Sequence, residues 1–97
     1  MKEATLKRFP IGQLVATSGV VAFMDDNPER RAAVLQCLKR HMNEDWGDVD
    51  SHDQKVNDEA VKHGYRILSA YKVDDTKIWI ITEADRSATT ILFPDEY

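Results

Sequence analysis

The sequence predicts an α+β domain in which two or three helices precede a three-stranded antiparallel meander, arranged in two layers. Two β-rich runs near the C-terminus, 78–82 and 89–93, flank a short polar segment at 83–87, as in a hairpin. A third run of alternating polarity at 65–73 precedes them across a short turn. The middle of the chain shows helical periodicity with capping signals. Helices followed by strands are typical of the α+β class.

The N-terminal half predicts the helices. A short extended piece at 13–16 is followed by a hydroxyl cap at Thr17-Ser18 and one or two helical turns. Asn27 then caps a second helix, because Pro28 is tolerated at the first helical position. Its apolar stripe is expected to consist of Val34, Leu35, Leu38 and Met42.

A third helix is predicted from a capping box, Ser51-x-x-Gln54, to about His63. Gly64 supplies the left-handed residue that commonly ends a helix. The residues expected to face inward are Val56 and Ala60.

The strands are predicted at 65–73, 77–83 and 88–93, the last ending before Pro94. The middle strand is apolar on both faces, so we expect Trp79 and Ile80, which point in opposite directions, to be well buried. Helices cover one face of such a sheet. The other face needs the N-terminal arm and first short helix, a second copy of the chain, or a partner protein.

Length and composition bound the class of protein. The 97 residues fit one domain, 1–97, with residues 1–10 as a loose arm. The chain shows neither an apolar span nor a signal-like segment, so we expect a cytoplasmic protein that does not contact membranes. The net charge of −4, without a long basic run, disfavours direct binding to nucleic acid. The single cysteine, Cys37, is expected to be buried in the second helix.

The loop at 44–53 concentrates acidic residues, which are the ligands that calcium and magnesium prefer. The spacing is not that of an EF-hand, so we interpret Asp48 and Asp50 as turn and capping residues, and Trp46 as an anchor on the core. The hairpin tip at 83–87 offers a second group of charges, in which Arg86 either ties the structure together or recognises a partner. The candidate binding residues are therefore Trp46, Asp48, Asp50, Glu83, Asp85 and Arg86.

Catalytic signatures are absent from the sequence. His41, His52 and His63 do not have the spacing of a zinc site, and the glycines do not form a phosphate-binding loop. We therefore predict no catalytic residue, no metal site and no cofactor.

Three segments give the chain a resemblance to a known family: DWGDVD at 45–50, NDEAVKHGYRILSAY at 57–71 and WIITEADRSATTILFPDEY at 79–97. The family consists of small uncharacterised bacterial proteins often encoded on plasmids and integrated mobile elements, some labelled "plasmid-related". The likeness covers residues 11–97. It implies a mobile-element context, and it brings no established activity or functional residues.

The leading functional hypothesis is a non-enzymatic accessory protein that binds another protein, with a homo-oligomer through the sheet as one form of that binding. One alternative is a small enzyme or divalent-metal binder that uses the 44–53 loop and the 83–87 tip. A second alternative is an acidic nucleic-acid mimic or regulator.

Overall fold

A computed structural model describes residues 9–97 and contains three helices and a four-stranded mixed sheet. The predicted α+β class is confirmed, but the three-stranded antiparallel meander is wrong, because a fourth strand runs parallel to the last one. The strand order is β1-β4-β3-β2. In chain order the elements are β1 (Gln13–Ala16), α1 (Ser18–Asp25), α2 (Pro28–Met42), α3 (Ser51–His63), β2 (Ile67–Val73), β3 (Thr76–Thr82), β4 (Ala88–Leu92) and a short 3₁₀ turn, Pro94–Glu96.

β1 joins the sheet through a parallel ladder with β4. The N–H of Gln13 donates to the carbonyl of Ser87 at 3.0 Å, and the N–H of Thr17 donates to the carbonyl of Ile91 at 3.1 Å. The strand is only four residues long and its partner lies near the other end of the sequence. Because no local sequence pattern indicates such a pairing, the sequence predicts only a short extended piece at 13–16 and not a strand of the sheet.

The predicted starts of the first two helices are confirmed. The Thr17 hydroxyl accepts the N–H of Val20 at 3.2 Å and caps α1. The Asn27 side chain accepts the N–H of Arg30 at 3.1 Å, and Pro28 occupies the first turn of α2. Each side chain satisfies an amide that the helix itself leaves without a partner.

The buried face of α2 differs from the predicted apolar stripe. Val34, Cys37 and Leu38 are buried as core residues, but Leu35 is 47% exposed and the prediction that it faces inward is wrong. His41 takes its place, since it lies one helical turn beyond Cys37 and is completely buried. The buried face of α2 therefore includes a histidine, which the spacing of apolar residues alone does not identify.

α3 ends as predicted, with Gly64 in the left-handed region at φ 78°. Its inner face is only partly as expected, because Ala60 is buried whereas Val56 is 46% exposed. Asn57 is buried instead, since its side-chain amide donates to the carbonyl of Leu68 at 2.8 Å and its oxygen accepts the N–H of Leu68 at 3.2 Å. This side chain satisfies the outer backbone edge of β2.

The three predicted C-terminal strands are present, with β2 beginning at Ile67 rather than two residues earlier. Asp74 and Asp75 both have positive φ, which is the geometry of a tight two-residue hairpin turn. β3 is central, as expected, because it pairs with both β2 and β4. Ile80 is fully buried, but Trp79 is only half-buried, so the expectation that both are well buried is wrong for Trp79.

The two faces of the sheet are covered very differently. α1 and α2 lie on the face that carries Ile78, Ile80 and Ile91, and Val20 of α1 belongs to that core. The expectation that the first short helix covers the second face is therefore wrong. On that second face, which we call the open face, the ring of Tyr97 meets the ring of Trp79 edge to face at 5.9 Å. The open face carries Leu68, Ala70, Lys72, Lys77, Trp79, Ile81, Thr90 and Leu92.

A smaller core cluster lies beside α3. Phe9 is buried there, with its ring centroid 6.1 Å from that of Trp46 and 5.5 Å from that of His41. The predicted loose arm at 1–10 is therefore wrong for Phe9, and residues 1–8 lie outside the described residues. None of the helices within residues 9–97 combines the length and the apolar character that crossing a bilayer requires.

Candidate functional site

The segment at 46–48 closes the outer edge of β2. The N–H of Ala70 donates to the carbonyl of Trp46 at 3.1 Å, and the N–H of Asp48 donates back to the carbonyl of Ala70. The indole of Trp46 is 4% exposed, and its N–H donates to the Asp58 carboxylate at 3.0 Å. The prediction that Trp46 anchors this loop is confirmed, and the residue is too deeply buried to contact a ligand.

Asp50 and Asp48 have different roles in the acidic loop. The Asp50 carboxylate accepts the N–H of Asp53 at 2.8 Å and caps α3, so the cap lies one residue before the predicted Ser51. Its negative charge also lies at the positive end of the helix dipole. Asp48 is exposed, and its side chain faces the groove described below.

The hairpin tip has a structural role in which Arg86 points back into the protein. The Arg86 guanidinium donates to the carbonyls of Tyr65 at 2.7 Å and Ala60 at 2.8 Å, which tie the tip to the C-terminal end of α3. The Ser87 hydroxyl and N–H hold the pKa of the Asp85 carboxyl below its usual value. Glu83 closes the hairpin through its N–H, which donates to the carbonyl of Ala88 at 3.0 Å.

The two candidate segments are not brought together. The acidic loop meets the beginning of α3, whereas the tip meets its end. Thirteen helical residues separate these ends, which corresponds to roughly 20 Å at 1.5 Å per residue. A single site built from both segments, as the enzyme or metal-binding alternative requires, is not what this geometry provides.

The structure instead brings part of the acidic loop to the open face of the sheet. A groove of about 650 Å³ runs between the loop and β2–β3. Its walls differ in charge: Asp48, Asp50 and Asp53 lie on the loop side, and two lysines lie on the strands. Its apolar lining consists of Val49, Leu68, Ala70 and Trp79, with Tyr71 at the edge.

The two lysines of the groove, Lys72 and Lys77, are direct partners across the β2–β3 ladder. Both are exposed, and within residues 9–97 neither takes part in a salt bridge. Like charges placed directly opposite each other destabilise a sheet. We therefore expect the pair to reduce stability, since no carboxylate in the described part of the chain lies within salt-bridge distance of either lysine. It is a feature that the sequence-based site prediction missed, because strands at 65–73 and 77–83 leave a three-residue turn that would place Val73 opposite Lys77.

His41 forms a buried polar chain that the sequence analysis also missed. Its Nδ1 bonds to the Ser69 hydroxyl, and its Nε2 lies 2.8 Å from the Thr82 hydroxyl. The Thr82 hydroxyl bonds to that of Thr89 at 2.7 Å, and Thr89 donates to the carbonyl of Ile11 at 2.8 Å. This series of hydrogen bonds links α2, three strands and the segment before β1.

The last bond of this chain fixes the direction of the others. Because Thr89 donates to a carbonyl, it must accept from Thr82, and Thr82 must accept from the Nε2–H of His41. Because burial lowers its pKa, the imidazole is neutral at pH 7, and its Nδ1 therefore accepts from the Ser69 hydroxyl. Burial away from water lowers the pKa of His41 to about 4. Ser69 and His41 are both 0% exposed, so this serine–histidine pair presents no nucleophile to solvent.

The described part of the chain holds no cluster of three or more His, Cys, Asp or Glu side chains arranged to bind a metal ion. We therefore expect the melting temperature to remain unchanged when EDTA, calcium or magnesium is added at millimolar concentration. The physical reason is that a ligand stabilises a protein only when it binds the native state preferentially. Differential scanning fluorimetry at constant ionic strength tests this, with sodium chloride as the control, and a rise of several degrees with either cation would contradict it.

Comparison with protein-family models, with curated proteins and with solved structures finds no match for this chain. The interpretation of the groove therefore depends on its residues and geometry.

Proposed function

We propose that this chain is a binding protein that recognises another protein through the groove on its open face, without chemistry of its own. The observation that carries the proposal is the lysine pair, Lys72 and Lys77, beside the half-buried Trp79. An aromatic ring flanked by cations suits a partner segment that places an apolar side chain over Trp79 and a carboxylate between the lysines.

The surroundings of the lysine pair support this partner chemistry. A carboxylate entering from a partner would relieve the repulsion between two ammonium groups that face each other across the ladder. The opposite wall, with Asp48 and Asp53, would meet a basic residue on the same partner. A segment with acidic and basic residues on opposite flanks of an apolar side chain therefore matches both walls. Placing such a segment in reverse would bring like charges together, which gives the groove a preferred orientation.

The acidic-mimic alternative finds less support, because many of the relevant carboxylates are occupied within the protein. The hydrogen-bonded Arg40 guanidinium lowers the pKa of Asp45 and neutralises its charge locally. Asp58 accepts the indole N–H of Trp46, and Glu59 pairs with His63 at 3.1 Å. A mimic of a phosphate backbone requires a row of unpaired carboxylates facing solvent.

The biological setting belongs to the proposal as well. The family resemblance favours an accessory role in a bacterial mobile element, with a host-defence or plasmid-maintenance component as the partner. A protein that acts only by binding needs no cofactor, and a groove on a packed sheet presents its contacts on a rigid surface.

The Lys72→Glu variant separates folding from recognition. It replaces a like-charge pair by a Glu–Lys pair across the ladder, so we expect the free energy of unfolding to rise by about 0.5 kcal/mol. The same change places a carboxylate where the partner's carboxylate would lie, so we expect binding to be lost. Urea denaturation measures the first effect, and quantitative mass spectrometry of proteins captured by an N-terminally tagged chain measures the second.

Lys39→Glu is the matched control, because it makes the same charge change on an exposed residue of α2. A partner retained by the wild type and by Lys39→Glu, and lost with Lys72→Glu, should then bind the purified chain directly by calorimetry. Retention of the same proteins by all three chains would place the binding surface elsewhere and refute the role of the groove.

A further inference from the structure

The two edges of the sheet differ in whether their outer backbone groups are covered. The outer edge of β2 is closed by the chain itself, through the Asn57 side chain at Leu68 and through the 46–48 segment at Ala70. The outer edge of β1 has no such cover within residues 9–97. Proteins usually protect an exposed edge by keeping the strand very short or by adding charged residues, proline or a bulge, because its unpaired backbone groups attract another strand.

Of these protections β1 has only its short length of four residues. Its sequence, Gln13–Ala16, contains no charge and no proline. Leu14 is 47% exposed and Val15 is 39% exposed, so the strand presents apolar side chains on both faces of the sheet. Such an edge favours pairing with a further strand, and the short length of β1 limits that pairing to a few residues.

The backbone of β1 has free groups in a self-complementary arrangement. The N–H groups of Gln13 and Thr17 donate to β4, so by alternation those of Leu14 and Ala16 point away from the sheet. When a second β1 is placed antiparallel about a two-fold axis at Val15, Leu14 of each copy lies opposite Ala16 of the other. Each of these pairs exchanges two hydrogen bonds, so all four outward N–H groups and all four outward carbonyls are satisfied.

The side chains agree with this register. The two Val15 side chains meet at a non-hydrogen-bonded position, with Cα atoms roughly 4.5 Å apart, and cover each other. Gln13 lies opposite Thr17 of the second copy, whose hydroxyl donates to Glu96 at 2.7 Å. The amide of Gln13 thus offers N–H donors to a carboxylate across the axis.

We propose that two copies of this chain form a two-fold dimer by antiparallel pairing of their β1 edges, which creates one continuous eight-stranded sheet. The closed β2 edge prevents further growth, so the assembly stops at the dimer and does not form a filament. The two-fold axis passes between the two β1 strands and is perpendicular to the sheet. A rotation about this axis relates two antiparallel strands without turning the sheet over. Both open faces then lie on the same side, and the two grooves are displayed together for bivalent binding.

The first test is the mass in solution by sedimentation equilibrium over a hundredfold concentration range. We expect a species of twice the 11.1 kDa chain mass for the wild type. Val15→Lys and Val15→Glu are each expected to be monomeric, because they place like charges against each other at the axis, while their equimolar mixture is expected to recover the dimer. Circular dichroism checks that each variant is folded. A wild type that remains monomeric throughout overturns the proposal, as does a dimer that both single variants retain.

A cross-link tests the register. Cα atoms roughly 4.5 Å apart are within disulfide range, so Val15→Cys is expected to form a covalent dimer under mild oxidation. Leu35→Cys is the matched control, because this residue is similarly exposed but lies on α2, and the native Cys37 is buried. Cross-linking of Val15→Cys on the order of tenfold faster than the control supports the register. Equal rates for the two variants overturn it.

Discussion

Acidification from pH 7 to pH 4 is expected to reduce the free energy of unfolding by about 3 kcal/mol through His41 alone. The pKa of this residue is about 4 in the folded protein, against an ordinary value of 6.5. The unfolded chain therefore takes up a proton at a pH where the native protein resists it. The contribution of His41 to the free energy of unfolding is complete above pH 6.5, declines progressively as the pH falls, and is lost below about pH 4. Each unit of difference between the folded and unfolded pKa corresponds to about 1.4 kcal/mol.

The structural reason is that protonation adds a donor at Nδ1, where the Ser69 hydroxyl now donates. The new N–H would reverse that bond and place a charge in a site with 0% exposure. Urea denaturation at several pH values measures the effect, with the difference between wild type and His41→Gln isolating it. Glutamine supplies one acceptor and one donor without titrating, so the variant should lack the His41 contribution between pH 6.5 and 4. Parallel curves for the two proteins would contradict the prediction.

Local chemistry made much of the fold predictable. The caps at Thr17 and Asn27 depend on a side-chain acceptor and the cap at Gly64 on a missing Cβ, and these act within a few residues of sequence. The alternation in 67–73 assigned the faces of β2 correctly for the same reason, because consecutive strand residues point in opposite directions.

Long-range pairing explains what was missed. β1 is defined by its ladder with β4, and nothing within β1 itself indicates that partner. In the sequence His41 is one of three scattered histidines, and nothing near it indicates its role, because its hydroxyl partners come from distant strands. The helical spacing of apolar residues predicts Leu35 and Val56 in the core, whereas the buried positions belong to His41 and Asn57, whose polar groups are satisfied inside the protein.

The candidate site was predictable in part. Asp48 and Asp50 do line the groove, but their neighbours across it, Lys72 and Lys77, were not among the predicted residues. Their pairing depends on the two-residue turn at Asp74-Asp75, whereas the predicted strands leave a three-residue turn, and one residue of difference changes every cross-strand pair. The sequence predicts Trp46 as a core anchor and offers a structural role for Arg86, but their partners, Asp58 for Trp46 and the end of α3 for Arg86, depend on long-range packing that it does not indicate.

Replacing Arg86 by alanine is expected to reduce the free energy of unfolding by about 3 kcal/mol, because hydrogen bonds from a charged donor contribute about 1.5–3 kcal/mol each and this group is only partly buried. The guanidinium donates to the carbonyls of Tyr65, Glu83 and Ala60 at 2.7–3.0 Å, so its loss frees the hairpin tip from the end of α3. Guanidinium chloride denaturation measures the change. Arg31→Ala is the control, since Arg31 is exposed and its contact with Asp25 is 3.5 Å long.

The backbone at Arg86 allows a second, independent check of the same structural tie. Its φ is 61°, in the left-handed region, where a side chain costs about 1 kcal/mol and glycine has no such penalty. Arg86→Gly also loses the guanidinium, yet we expect it to be less destabilised than Arg86→Ala by about 1 kcal/mol. Both variants should still capture a partner that the wild type captures, under conditions where they are folded, because the guanidinium points inward and is remote from Lys72. If Arg86→Ala is as stable as the wild type but loses the partner, the hairpin tip is a recognition element and the assignment of Arg86 to the interior is wrong.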